Sequence, residues 1–189
     1  MPELATRSRD NPEFARVLEV RALGEDEAFA FDIVPDVAEA AAIARLLGAQ
    51  AVRKMRLSGT LAPEGRGWRL DARLGATAVQ SCVVTLEPVS TRIDETVRRR
   101  YEAGAAPRRD VTVAASGDED DVEPLGERID LGLVAIEALA LALPDYPRKP
   151  GAVFPGTIAG PAGAAGESTV EIRPFAPLAA LRDKLGGGS

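Results

Sequence analysis

The chain has 189 residues, 46% of them hydrophobic but only 4% aromatic, with no histidine, one cysteine and a net charge of −6. This composition supports one substantial, mainly aliphatic core, and it excludes an intramolecular disulfide, an imidazole-bearing metal site and any Ser-His-Asp or Cys-His nucleophilic pair. No run approaches the roughly 20 apolar residues of a membrane helix, and the first residues lack a secretory apolar segment, so a cytoplasmic protein without a membrane partner is expected.

Taken in chain order, Glu13–Leu23 is rich in branched residues and partly alternating, which predicts a strand, and Ala28–Val34 predicts a second. After Pro35, Asp36 is placed as an N-cap with Glu39 at capping-box spacing. Alanines and leucines then favour helix, and Gly48 is placed to end it. Three amphipathic strands follow. In the first, Met55, Leu57 and Leu61 lie opposite Lys54, Arg56, Ser58 and Thr60. Beyond a glycine-rich turn at Pro63–Gly67, Trp68, Leu70, Ala72, Leu74 and Ala76 lie opposite Arg69, Asp71, Arg73 and Thr77. Beyond Glu87-Pro88, Val89, Ile93, Val97 and Tyr101 alternate with Arg92, Asp94, Arg98 and Arg100. The pattern is that of an antiparallel sheet with one wet face.

Residues 103–127 are small, polar and acidic and predict a mobile loop. Asp130 as N-cap and Pro144 as stop then bound a core helix whose one charged residue is Glu137. The expected organisation is a single α+β domain over residues 1–147, a flexible Pro/Gly/Ala-rich linker over 148–172, and a short helix and tail over 173–189. The fold class is α+β, a mainly antiparallel sheet of about five strands with two or three packed helices, barrel-like closure being an open alternative. In the terminal helix, Phe175, Leu178, Leu181 and Leu185 form an apolar stripe suited to a partner groove or to the chain's own sheet.

The charge is unevenly placed. Between Ala49 and Arg109, 12 Lys+Arg stand against 6 Asp+Glu, whereas the remainder carries 11 against 23. Alternation puts Lys54, Arg56, Arg69, Arg73, Arg92, Arg98 and Arg100 on one sheet face. Such a face suits either phosphate neutralisation or plain solvation of a sheet. With stacking aromatics nearly absent, recognition of RNA shape or backbone fits better than reading of unstacked bases. The acidic run Asp118–Asp121 with Glu123 lacks the spacing and central glycine of an EF-hand and reads as a solvated loop. Cys82 has no base or cation beside it in sequence. It reads as a small buried side chain, with redox modification as the alternative. No cofactor, metal, catalytic set or small-molecule substrate is indicated.

Four segments in order carry a family resemblance: Gln80-Ser81-Cys82-Val83-Val84-Thr85-Leu86-Glu87-Pro88; the acidic stretch leading into Ile129-Asp130-Leu131; Leu141-Ala142-Leu143-Pro144; and the closing Arg173–Leu185. Together, over roughly Phe14 to Leu185, they resemble the YceD family, the large ribosomal RNA subunit accumulation proteins. Many members have a Cys-x-x-Cys pair at the first segment, where Thr85 replaces the second cysteine. Many have another pair after the helix, where Asp145–Phe154 has none. Any zinc held by such pairs does not carry over in the same way. The resemblance implies a non-enzymatic role in synthesis, processing or stability of large-subunit (23S) ribosomal RNA. The implied partners are that RNA or its precursor, a ribosomal protein or an RNA-processing factor. The competing expectation is a protein-interaction adaptor without RNA contact, working through the terminal helix and acidic loop.

Overall fold

The computed structural model describes residues 4–6, 8–24, 27–105 and 121–153. Strand β1 (Val17–Glu19) and a 3₁₀ turn (Val20–Ala22) precede β2 (Phe29–Ile33) and helix α1 (Val37–Leu46). Three long strands follow, β3 (Ala51–Glu64), β4 (Gly67–Ser81) and β5 (Pro88–Glu102), then β6 (Asp121–Pro124), β7 (Arg128–Asp130) and helix α2 (Leu131–Ala142). The main sheet runs β2-β3-β4-β5-β6, and β1 pairs with β7 in a separate two-stranded sheet.

The three long strands form where apolar and polar residues alternate. Met55, Leu57, Leu61, Trp68, Leu70, Ala72, Leu74, Ala76, Ile93, Val97 and Tyr101 are all buried on the inner face. Against that face lie α1, through Ile43 and Ala44, and α2, through Leu131, Val134, Ala135, Ile136 and Leu139. Glu64 pairs with Gly67, so Gly65 and Arg66 make a two-residue hairpin loop, with Gly65 at a φ of 60°. Helix α1 begins with the expected capping box: Asp36 accepts from the Glu39 N–H, and Glu39 accepts from the Asp36 N–H. It ends where Gly48 turns left-handed, the Gly48 and Ala49 N–H groups donating to the Arg45 and Ala44 carbonyls.

The sheet departs from expectation in three ways. It is open, because β2 and β6 are its two edges, so there is no barrel. It is mixed, because β6 pairs parallel to β5, from Arg99↔Asp121 to Glu102↔Pro124. A parallel neighbour needs a long return connection, which residues 103–120 provide. The acidic stretch therefore feeds a strand, Asp121–Pro124, inside what the sequence suggests as loop. Third, the strand expected over Glu13–Leu23 shrinks to Val17–Glu19 and lies outside the main sheet. Phe14, Ala15, Val17 and Leu18 are all buried, which no single sheet face produces, and a turn at Asn11–Phe14 precedes them. Two helices are described; the terminal helix expected over 173–189 lies outside the described residues.

The N-terminal segment is pinned to the start of α2. Asp130 Oδ1 caps the helix by accepting from the Gly132 and Leu133 N–H groups at 3.0 and 3.3 Å, and it also accepts from the Arg16 N–H at 2.9 Å. Its other oxygen takes a bond from the Asn11 amide at 3.1 Å. Asn11 is 1% exposed, yet its amide also donates to the Phe14 carbonyl and its oxygen accepts from the Phe14 N–H. A side chain at Gly132 would put Cβ 1.7 Å from that same Phe14 carbonyl oxygen, so the segment and the helix meet only because residue 132 has none.

Candidate functional site

The outer face of the main sheet gathers the charged residues in rows set by strand register. Arg56, Gly75 and Asp94 form one row, Ser58, Arg73 and Thr96 the next, then Thr60, Asp71 and Arg98, then Ala62, Arg69 and Arg100. All seven cations named from the sequence fall on this face. Five of them meet carboxylates. Arg56 grips Asp32 with Nε at 2.7 Å and a second N–H. Arg69 reaches Asp71 at 2.7 Å and Glu64 at 2.9 Å. Arg92 holds Asp94, Arg100 donates to Glu64 at 2.8 Å, and Arg98 approaches Asp71 at 3.9 Å. The hydrogen bond from Arg56 holds the Asp32 carboxyl below its ordinary range, and Arg92 does the same for Asp94.

Lys54 and Arg73 stand apart, having no ion-pair partner among the described residues. For Arg73 the reason is register: its row neighbours, Ser58 and Thr96, are uncharged. Lys54 sits in a bulge, since the β3–β4 pairing slips between Arg53 and Arg56, and its φ of 51° is left-handed. Both line an open groove of about 500 Å³ with Arg56, Ser58, Gly75 and Arg92. The predicted basic face is thus mostly a neutralised network. Two of the carboxylates, Asp71 and Asp94, are visible in the same alternation, whereas Asp32 comes from β2 and Glu64 from the end of β3; which cation each one takes is not legible.

A second charged cluster lies on the inner side, at the β5–β6 edge. Arg99, 13% exposed along its side chain, bonds Glu123 of β6 at 2.6 Å and Glu137 of α2 at 2.7 Å. Burial alone would lower its pKa, but the two carboxylates more than offset this and raise it. Burial, then Glu123, pushes the neighbouring Tyr101 phenol well above its usual value. This cluster ties strand to helix.

Cys82 is buried, as the sequence suggests, and its sulfur is surrounded by hydrogen-bond donors. It opens the turn between β4 and β5, in which Leu86 takes a φ of 62°, and the segment after α2 folds back onto that turn: the Val83 N–H donates to the Pro147 carbonyl at 2.9 Å. The Val84, Thr85 and Lys149 N–H groups all point at Cys82 Sγ, each at 3.4 Å. The Thr85 hydroxyl, the Lys149 N–H and then the turn's own N–H groups outweigh burial and pull the thiol down to about 6. Lys149 Nζ bonds Glu87 at 3.0 Å across the same junction. Zinc does not fit here. One thiol, a threonine and a lysine do not make a tetrahedral ligand set, and no group of three or more His, Cys, Asp or Glu able to hold a metal occurs among the described residues.

Phe175, Leu178 and Leu181 lie outside the described residues. No helix among the described residues is long and apolar enough to cross a membrane. The family described as Large ribosomal RNA subunit accumulation protein YceD matches residues 70–182, which include most of β4, the Cys82 turn, β5 and α2. No curated protein and no solved structure matches the chain.

Proposed function

The chain belongs to the YceD family, and from that premise we propose that it is a non-enzymatic cytoplasmic binding factor supporting the synthesis, processing or stability of large-subunit (23S) ribosomal RNA. The observation that carries this reading is the family match over residues 70–182. The geometry is compatible with work by contact: a wet sheet face on which Lys54 and Arg73 have no ion-pair partner among the described residues. Depleting the protein and profiling ribosomal RNA tests the proposal. The expected result is a selective fall in mature 23S RNA relative to the small-subunit RNA, restored by the wild-type gene; an unchanged ratio overturns it.

A second reading, an adaptor that contacts a protein partner and no RNA, is favoured by one feature. Along residues 88–98, β5 has no neighbouring strand on its β6 side among the described residues. Beside it runs a groove lined by Val97, Ala138 and Leu141, and Leu141 is 87% exposed. On this reading, co-sedimentation with large ribosomal subunits resists nuclease and is lost in Leu141→Asp. On the first reading, nuclease removes it.

A further inference from the structure

We infer that the groove at the β3 bulge is a binding site for a phosphodiester of the RNA backbone, centred on Lys54 and Arg73. This rests on the RNA reading above and names the residues and the ligand chemistry. A cation already holding a carboxylate must give it up, or share it, before taking a phosphate. Lys54 and Arg73 have nothing to give up, and they line the same groove. Lysine rarely adopts a left-handed backbone, because Cβ then crowds the following carbonyl. A residue held there at a bulge is being aimed by the surrounding sheet.

The groove's other residues set which anion it takes. Gly75 forms part of the lining, in the row of Arg56 and Asp94, with the Arg92 guanidinium lying 2.7 Å from where its Cβ would be; any side chain there would fill the space. Arg56 and Arg92 direct Nε and one further N–H at Asp32 and Asp94, leaving their remaining donors unassigned. The Ser58 hydroxyl supplies a neutral donor at the wall. Against these four cations stand Asp94 and Glu95 in the lining and Asp32 beside it. The small net positive charge that results matches a singly charged diester better than a doubly charged phosphate monoester. With no aromatic residue in the lining, the site holds the backbone and leaves the bases unread.

The test is titration of a short fluorescent RNA duplex into the full chain at several salt concentrations, followed by anisotropy. Lys54→Gly with Arg73→Gln removes both cations, and glycine keeps the left-handed backbone at the bulge. Arg45→Gln with Arg66→Gln removes equal charge elsewhere. We expect the groove variant to bind about tenfold more weakly or worse, and its slope of log affinity against log salt to shrink by about 1, the one phosphate contact of the groove being lost. The control variant keeps most of both. Arg73→Lys, which retains the charge, keeps most of the affinity. Inorganic phosphate should displace the RNA no better than sulfate at equal ionic strength. Equal losses in the groove and control variants overturn the site in favour of diffuse attraction. Displacement by phosphate well below the salt effect reassigns it to free phosphate and overturns the backbone reading. Absence of RNA binding by the wild-type chain overturns the site too, while the ribosomal RNA profile on depletion still decides the proposed function separately.

Discussion

Cys82 illustrates how backbone geometry sets a side chain's chemistry. In sequence it stands among Val83 and Val84 with no charged neighbour; in the fold, a distant residue, Lys149, brings an N–H to the sulfur and closes a cage with the turn's own amides. Burial is legible from sequence, the cage is not, because one of its walls comes from beyond α2. Since the folded thiol titrates at about 6 and an unfolded one near 8.5, the unfolded chain binds the extra proton between those values. The stabilisation is therefore complete above about pH 8.5 and is lost as pH falls through about 6. Urea unfolding of the wild type from pH 6 to 9 should show stability rising with pH, and Cys82→Ala should flatten that rise. Parallel curves for the two proteins would remove the thiolate from the account. Lys54 teaches the complementary lesson. Its place on the wet face follows from alternation, but the bulge that frees it follows from pairing, which no single strand encodes.

At the scale of elements, capping residues were the most legible feature. Asp36 with Glu39, Gly48, and Asp130 all act where local sequence puts them, because caps depend on neighbours three or four residues away. What sequence does not reveal is that Asp130 also collects Arg16 and Asn11, and so docks the N-terminal segment on α2. The same contact explains why the first expected strand shortens: Phe14, Ala15, Val17 and Leu18 are buried from both sides, whereas a strand with one wet face would expose alternate residues. Gly132 is the tightest point of this junction, and two effects compete there. Replacing glycine by alanine favours a helix by up to about 1 kcal/mol. A Cβ 1.7 Å from the Phe14 oxygen instead forces backbone apart, with a cost of about 1–3 kcal/mol or more from overpacking plus the strain on the Asn11 and Asp130 bonds. Gly132→Ala should therefore destabilise, measured as a lower urea midpoint, whereas an unchanged or raised midpoint would mean that the segment yields freely. Arg99 joins two more elements: the alternation of Val97 and Tyr101 puts it on the inner face, but its two carboxylates come from β6 and α2, so the partners that let it face inward are not legible along β5 alone.

For the whole molecule, the class of fold and the wet face are legible because three consecutive strands carry a period of two, which slips only at the β3 bulge. Closure, strand direction at the β6 edge and the separate β1–β7 pair are not, since each depends on where residues far apart in sequence meet. The charged face shows the same division. Its members follow from alternation, but its electrostatic character, with five of the seven named cations sharing four carboxylates, follows from cross-strand rows. The open side of β5 carries one more consequence, visible to solvent hydrogens. In an antiparallel pair, successive amides of a strand point alternately toward the partner and away from it. Along residues 88–98 the inward set is bonded to β4, while the outward set meets no strand among the described residues. Deuterium uptake resolved amide by amide should therefore alternate fast and slow through this half of β5, then turn uniformly slow over Arg99–Glu102, where β6 covers the edge. In a complex with a protein that adds a strand here, the fast set should slow and the alternation vanish; in a complex with RNA held at the bulge it should persist.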